Sequence, residues 1–179
     1  MRATVVLLLA WMVTGCATTP RGPLAPRDAA PRSMPAPARV SALWEQMGKT
    51  MPGTWYARSQ ERTVTESFRP ISNGSALVED YTSSSGRPTA SVYHPDGDSL
   101  LVTHYCAQGN QPRLRVMTIS DDATAAVFRL VDATNLREGQ AVLVEKRLRF
   151  HADGFDQTEI YRSPDGKTEE TMLRFTRAK

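Results

Sequence analysis

Residues 91–106 read SVYHPDGDSLLVTHYC. Two runs rich in β-branched, aromatic and leucine residues flank Pro95-Asp96-Gly97-Asp98, the punctuation of a hairpin. With those four residues as the loop, His94 pairs with Ser99, Tyr93 with Leu100, Ser91 with Val102 and Thr89 with His104. Side chains alternate along a strand. Tyr93, Leu100, Val102, His104 and Cys106 therefore share one face, and Val92, His94, Leu101, Thr103 and Tyr105 share the other. His94 and His104 point to opposite sides and do not converge on one metal.

The same pattern extends in both directions. Gly53–Arg58 opens a series that continues with TVTESFR (63–69), which places Val64, Glu66 and Phe68 on one face, and SALVEDY (75–81). Beyond the hairpin come RLRVMTI (113–119), TAAVFRLV (124–131), AVLVEKRLRF (141–150), FDQTEIYR (155–162) and TEETMLRFTR (168–177). Residues 141–150 also fit helical spacing, but the alternation of Val142, Val144, Lys146, Leu148 and Phe150 favours a strand. Ser41 is placed to N-cap a short helix through Gly48 that buries Leu43, Trp44 and Met47. No long helix recurs to carry parallel crossovers. The expected fold is all-β: an antiparallel up-and-down barrel of about 8–10 strands with a short N-terminal helix, closed because an open sheet would leave bare edges. Phe68, Val102, Phe128, Leu173 and Phe175 face inward, to line a pocket or to fill it. Glu79-Asp80 and Glu169-Glu170 alternate faces and read as solvated edge charges.

Gly53-Thr54-Trp55, placed after the helix and before all the strands, resembles the G-x-W start of lipocalin and calycin barrels. That resemblance implies a tryptophan plug, Trp55, with a basic residue of the last strand, Arg174 or Arg177, packed over it. YHPDGDSLLVTHYCAQGNQPRLR (93–115) and DATNL (132–136) resemble a family of uncharacterised lipocalin-like bacterial proteins, and the likeness covers most of 50–177. The same barrel class includes haem-binding nitrobindin-like proteins with a histidine ligand, which makes His104 the candidate for a haem alternative. Members of the family often carry Gly-His-Met-His shortly after DATN. This chain has Gly139-Gln140-Ala141-Val142 there, a departure that weighs against metal or haem.

The N-terminus carries an address. Met1-Arg2 precedes the apolar run 3–13, too short for a mature membrane span, which needs about 20 residues. The run ends in Val13-Thr14-Gly15-Cys16, which resembles a bacterial lipobox and implies cleavage before Cys16 and acylation of its thiol. Residues 1–15 are thus expected to be a signal peptide, 16–40 a Pro/Ala-rich tether and 41–179 the barrel domain. Ala17 rather than aspartate after the cysteine favours, by resemblance to the known sorting signal, the outer membrane of a Gram-negative envelope. The bilayer, reached through Cys16, is the expected partner. The tether holds 6 of the 12 prolines and too little apolar surface to fold.

Residues 41–179 hold 17 basic and 18 acidic side chains, so the basic balance belongs to the N-terminal segment and gives no argument for nucleic acid. Of the two cysteines, Cys106 has no partner left and suits a compact buried residue. The chain has no G-x-S-x-G elbow, Walker loop, dinucleotide fingerprint, H-E-x-x-H or C-x-x-C. No catalytic residue and no metal ligand is assigned, and no cofactor is named. The candidate ligand contacts are His104, Tyr105, Cys106, Asn110, Gln111, Asp132, Asn135 and Tyr93. His104 is expected to bond Asn110 or Asp132, and Asp132 and Asn135 to build a capped turn. The Gly109–Pro112 turn and DATNL either line a barrel mouth or only organise turns. The expected function is binding of a small apolar or amphipathic ligand. The alternatives are a haem-binding or enzymatic barrel using His104, with Cys106 or Tyr105, and a purely structural envelope protein.

Overall fold

The structure, a computed structural model, describes residues 34–59, 62–84 and 86–177. Signal-like residues 1–15, Cys16 and most of the Pro/Ala-rich segment lie outside the described residues. A helix, α1 (Pro37–Thr50), precedes ten strands: β1 (Gly53–Ser59), β2 (Arg62–Ile71), β3 (Ala76–Ser83), β4 (Thr89–Asp96) and β5 (Ser99–Tyr105), then β6 (Gln111–Ile119), β7 (Ala125–Thr134), β8 (Val142–Phe150), β9 (Gly154–Arg162) and β10 (Thr168–Thr176). Each strand pairs with its sequence neighbours, and β10 returns to β1. This is the expected all-β, antiparallel, up-and-down, lipocalin-like barrel. At the closing seam, among the described residues, β1 pairs with β2 along seven positions and with β10 at Tyr56↔Thr176.

The helix starts at Pro37, inside the segment read as tether, and Ser41 is not its cap. Proline suits the first helical position because its missing N–H would have no partner there. Ala36 offers no capping side chain, so packing holds the helix. Val40, Leu43 and Met47 are buried, and Arg39 pairs with Asp121 (2.8 Å) beside the β6–β7 turn.

The deciding hairpin turns on two residues rather than four. Asp96 pairs with Ser99, leaving Gly97-Asp98 as the loop. Gly97 has φ +57°, the left-handed backbone that tight hairpins need. The register moves by two positions, so every side chain keeps its face, but His104 now sits opposite Ser91. In β8 a register shift at Val144 breaks the expected alternation. Leu143 takes the interior position there, and Lys146, Leu148 and Phe150 follow inward.

One end of the barrel is filled by aromatic rings. Phe155 is fully buried and meets Trp55 edge-on (5.2 Å), Phe68 edge-on (5.8 Å) and Phe175 stacked (5.1 Å). Trp55 donates its indole N–H to the Met51 carbonyl (2.7 Å). The Arg177 guanidinium lies 4.2 Å from the Trp55 ring centre and donates to the carbonyl oxygens of Pro52 (2.9 Å) and Thr50 (3.3 Å). Gly53 has φ +114°, backbone that favours glycine, and a Cβ there would press on the Arg177 guanidinium. Arg174 is not the covering residue. It points outward and pairs with Asp153 and Asp156. Phe68, Val102, Phe128 and Phe175 are buried and fill the barrel, and Leu173 is buried at the wall of its open end.

Candidate functional site

The other end is open. It holds a cavity of about 370 Å³ whose wall includes Tyr81, Cys106, Gln108, Gln157, Tyr161 and Leu173. Several strands aim polar side chains into the interior beneath it. On β2 the alternation that buries Val64 and Phe68 carries Glu66 between them, and on β3 it carries Glu79 inward. On β9 it carries Phe155, Gln157, Glu159 and Tyr161, spaced by about 7 Å per pair of residues, from the aromatic end to the mouth.

Lys146 sits at the centre of these groups with no exposed side-chain surface. Its ammonium donates to both oxygens of Glu79 (3.0 and 2.8 Å) and pairs with Glu159 (3.3 Å). Tyr93 donates to Glu79 (2.6 Å). Burial pushes the Glu79 carboxyl up, but the Lys146 charge and the hydrogen bonds from Lys146 and Tyr93 outweigh it, and the group is held below the ordinary carboxylate range. Burial likewise works against the Lys146 charge, yet the surrounding carboxylates and Tyr93 raise it well above an ordinary lysine. The pair is therefore ionised inside the barrel. Glu66 is different. Burial first, then the Glu79 charge, raise it well above the ordinary value, which favours its neutral form. Gln157 donates to Glu66 Oε1 (2.8 Å). Glu66 Oε2 and Gln157 Oε1 are buried with no partner, and such atoms cost free energy unless something satisfies them.

His104 forms the second arm of the network. Nδ1 meets Ser91 Oγ at 3.1 Å and Nε2 meets the Tyr161 hydroxyl at 3.2 Å. Burial lowers its pKa, so the ring is neutral and carries one N–H. A proton on Nε2 satisfies every contact: Ser91 donates to Nδ1, Nε2–H donates to Tyr161, and Tyr161 donates onward to Glu159 (3.3 Å). Burial, with Glu159 beside it, raises Tyr161 far above an ordinary phenol. Tyr161 thus keeps its proton, donates it to Glu159 and is not a base.

These contacts revise several expectations. His104 bonds Ser91 and Tyr161, not Asn110 or Asp132. Both its nitrogens are engaged and the ring is buried, so the residues present do not fit an axial haem ligand or a general base for Cys106. Tyr105 is exposed on the outer face. Asp132 is in β7 rather than a turn, paired with Arg113 on the outside, because a register shift in β6–β7 extends the ladder past it. Tyr93 is sealed beneath the cavity against Phe128 and Lys146. Asn135 adopts φ +53° after β7 and donates to Gln111 (2.7 Å).

Asn110 and Gln111 are loop fasteners at the rim. Asn110 donates to the Ala141 carbonyl (3.1 Å), and Gln140 donates to the Gln108 carbonyl (2.7 Å). The β5–β6 and β7–β8 loops are thereby stapled into one wall, from which Cys106 and Gln108 face the cavity. Of the candidate contacts, Cys106 alone lines the cavity directly, while His104 acts through Tyr161. Glu66, Glu79, Lys146, Gln157, Glu159 and Tyr161 were not among the candidates, and Glu79 in particular is buried, not a solvated edge charge.

No protein-family model matches the chain, and no curated protein matches it in sequence.

Proposed function

We propose that this chain is a lipid-anchored envelope protein whose barrel holds a small amphipathic ligand in its open end. The observation that carries the reading is the mouth itself. A cavity of about 370 Å³ falls in the size range of small-molecule sites, and Gln157 Oε1, buried in its wall, lacks a partner. The ligand is amphipathic rather than purely apolar, because Leu173 and the rings of Tyr81 and Tyr161 share the wall with Gln157 and Glu159. The anchor rests on Val13-Thr14-Gly15-Cys16, and the likeness to lipocalin-like bacterial proteins supports the same reading.

Native mass spectrometry of the full chain purified from membranes tests the binding. The expected result is a small molecule bound one to one and lost in Tyr161→Phe with Gln157→Leu. A bare polypeptide mass, with no loss of occupancy to explain, contradicts it. Metabolic labelling with a fatty acid tests the anchor: label enters the wild-type chain and not Cys16→Ser, and equal labelling of both refutes it.

A further inference from the structure

The donors and acceptors around the mouth do not balance. Lys146 spends its ammonium on Glu79 and Glu159, Tyr93 spends its hydroxyl on Glu79, and Tyr161 spends its own on Glu159. What remains facing the cavity is an acceptor: Gln157 Oε1, on a side chain 3 % exposed, has no partner. Among the described residues, the wall adds Glu169 on β10 and Arg62 on β2. Two aromatic rings, Tyr81 and Tyr161, complete the rim.

Resting on the reading of the mouth as a ligand site, we infer that its ligand carries a small organic cation as its head, a primary ammonium or amidinium on a short apolar body. Such a head supplies the N–H donor that Gln157 Oε1 lacks and meets the Glu159 and Glu169 carboxylates of the wall. Charge-assisted hydrogen bonds of this kind are the stronger class, and the tyrosine faces suit a cation. The field is visible in the neighbours. Tyr81 is raised by burial and then by Glu159 and Glu66, and Tyr161 by burial and then by Glu159. A bare metal ion fits less well. Among the described residues no three His, Cys, Asp or Glu side chains are arranged to hold one, and Lys146 occupies the space between Glu79 and Glu159.

Three probes with one six-carbon chain isolate the head: hexylammonium, hexan-1-ol and hexanoate. Each is titrated calorimetrically into the full chain in nonionic detergent, against protein-free micelles. Hexylammonium is expected to bind about tenfold more tightly than hexan-1-ol, equivalent to one charge-assisted contact, with hexanoate weakest. Gln157→Leu and Glu159→Gln should each cut that advantage to roughly threefold or less and leave hexan-1-ol unchanged. Glu169→Gln, at an exposed position that carries no folding risk, should reduce it by about twofold. Equal binding of ammonium and alcohol, or tighter binding of hexanoate, overturns the cationic head while leaving the mouth as a site. Failure of all three probes to bind a folded chain overturns both.

Discussion

Phe155 and Tyr161 stand six residues apart on β9 and both face into the barrel, but they inhabit different solvents. Phe155 touches Trp55, Phe68, Phe150 and Phe175 and meets no charge. Tyr161 borders the cavity and donates its hydroxyl to Glu159 within reach of a buried ammonium. The same alternation of one strand thus builds a solid apolar plug at one end and a polar floor at the other. The plug gains from area removed from water. The floor costs desolvation that is recovered only because Lys146, Glu79 and Glu159 satisfy one another. A chain selected for stability alone would extend the plug upward, so the polar end is where function is to be sought.

The largest effects should fall one at each end and differ in kind. Phe155→Ala removes the ring shared by four others and should cost about 3–5 kcal/mol in denaturant unfolding. Its effect on hexylammonium affinity should be small. Lys146→Met strands two carboxylates and should cost a similar ~3–5 kcal/mol, but here adding Glu79→Gln should restore much of the loss. If the double variant is no more stable than Lys146→Met, the ionised pair is not what organises the floor.

Arg177→Ala should destabilise by about 1–2 kcal/mol, losing the stack on Trp55 and two carbonyl contacts. Arg174→Ala, which removes only exposed ion pairs, should cost less than about 1 kcal/mol. Equal costs would contradict the placement of Arg177 as the residue that covers the plug.

The pH dependence sharpens the contrast further. Glu66 is raised in the fold above its ordinary value of 4.5. Its contribution is fully present below about pH 4.5 and is lost as pH rises through the folded value. Glu66→Gln has no proton to lose, so its stability relative to wild type should climb with pH. His104 runs the opposite way. Its pKa is lowered from 6.5, so its contribution is present above that value and is lost as pH falls through the folded one. His104→Asn should flatten the acid limb. Urea unfolding across the pH range reads both.

Much of the fold was legible because ten alternating runs and their turn residues agree with one another. The residues missed were visible in part. Glu66 lies between Val64 and Phe68, and Lys146 stands in phase with Leu148 and Phe150, so periodicity alone puts both inside. Hydrophilicity argued the other way for Glu79, and only its long-range partner Lys146, 67 residues distant, explains the burial. The hairpin register could slip by two without changing any face, which is why Ser91 as the partner of His104 was not readable. The extension of β7 through Asp132 depends on a bulge that leaves no compositional mark. Helix α1 began early because Pro37, which reads as linker, also suits a first turn.

The most direct test of the two-ended barrel is a chemical-shift map of the isotope-labelled full chain with hexylammonium. The account predicts perturbations confined to Cys106–Gln108, Gln157–Tyr161 and Thr171, with the resonances of Trp55, Phe155 and α1 unmoved. Shifts centred on Trp55 and the helix, or spread over the outer wall, would contradict it.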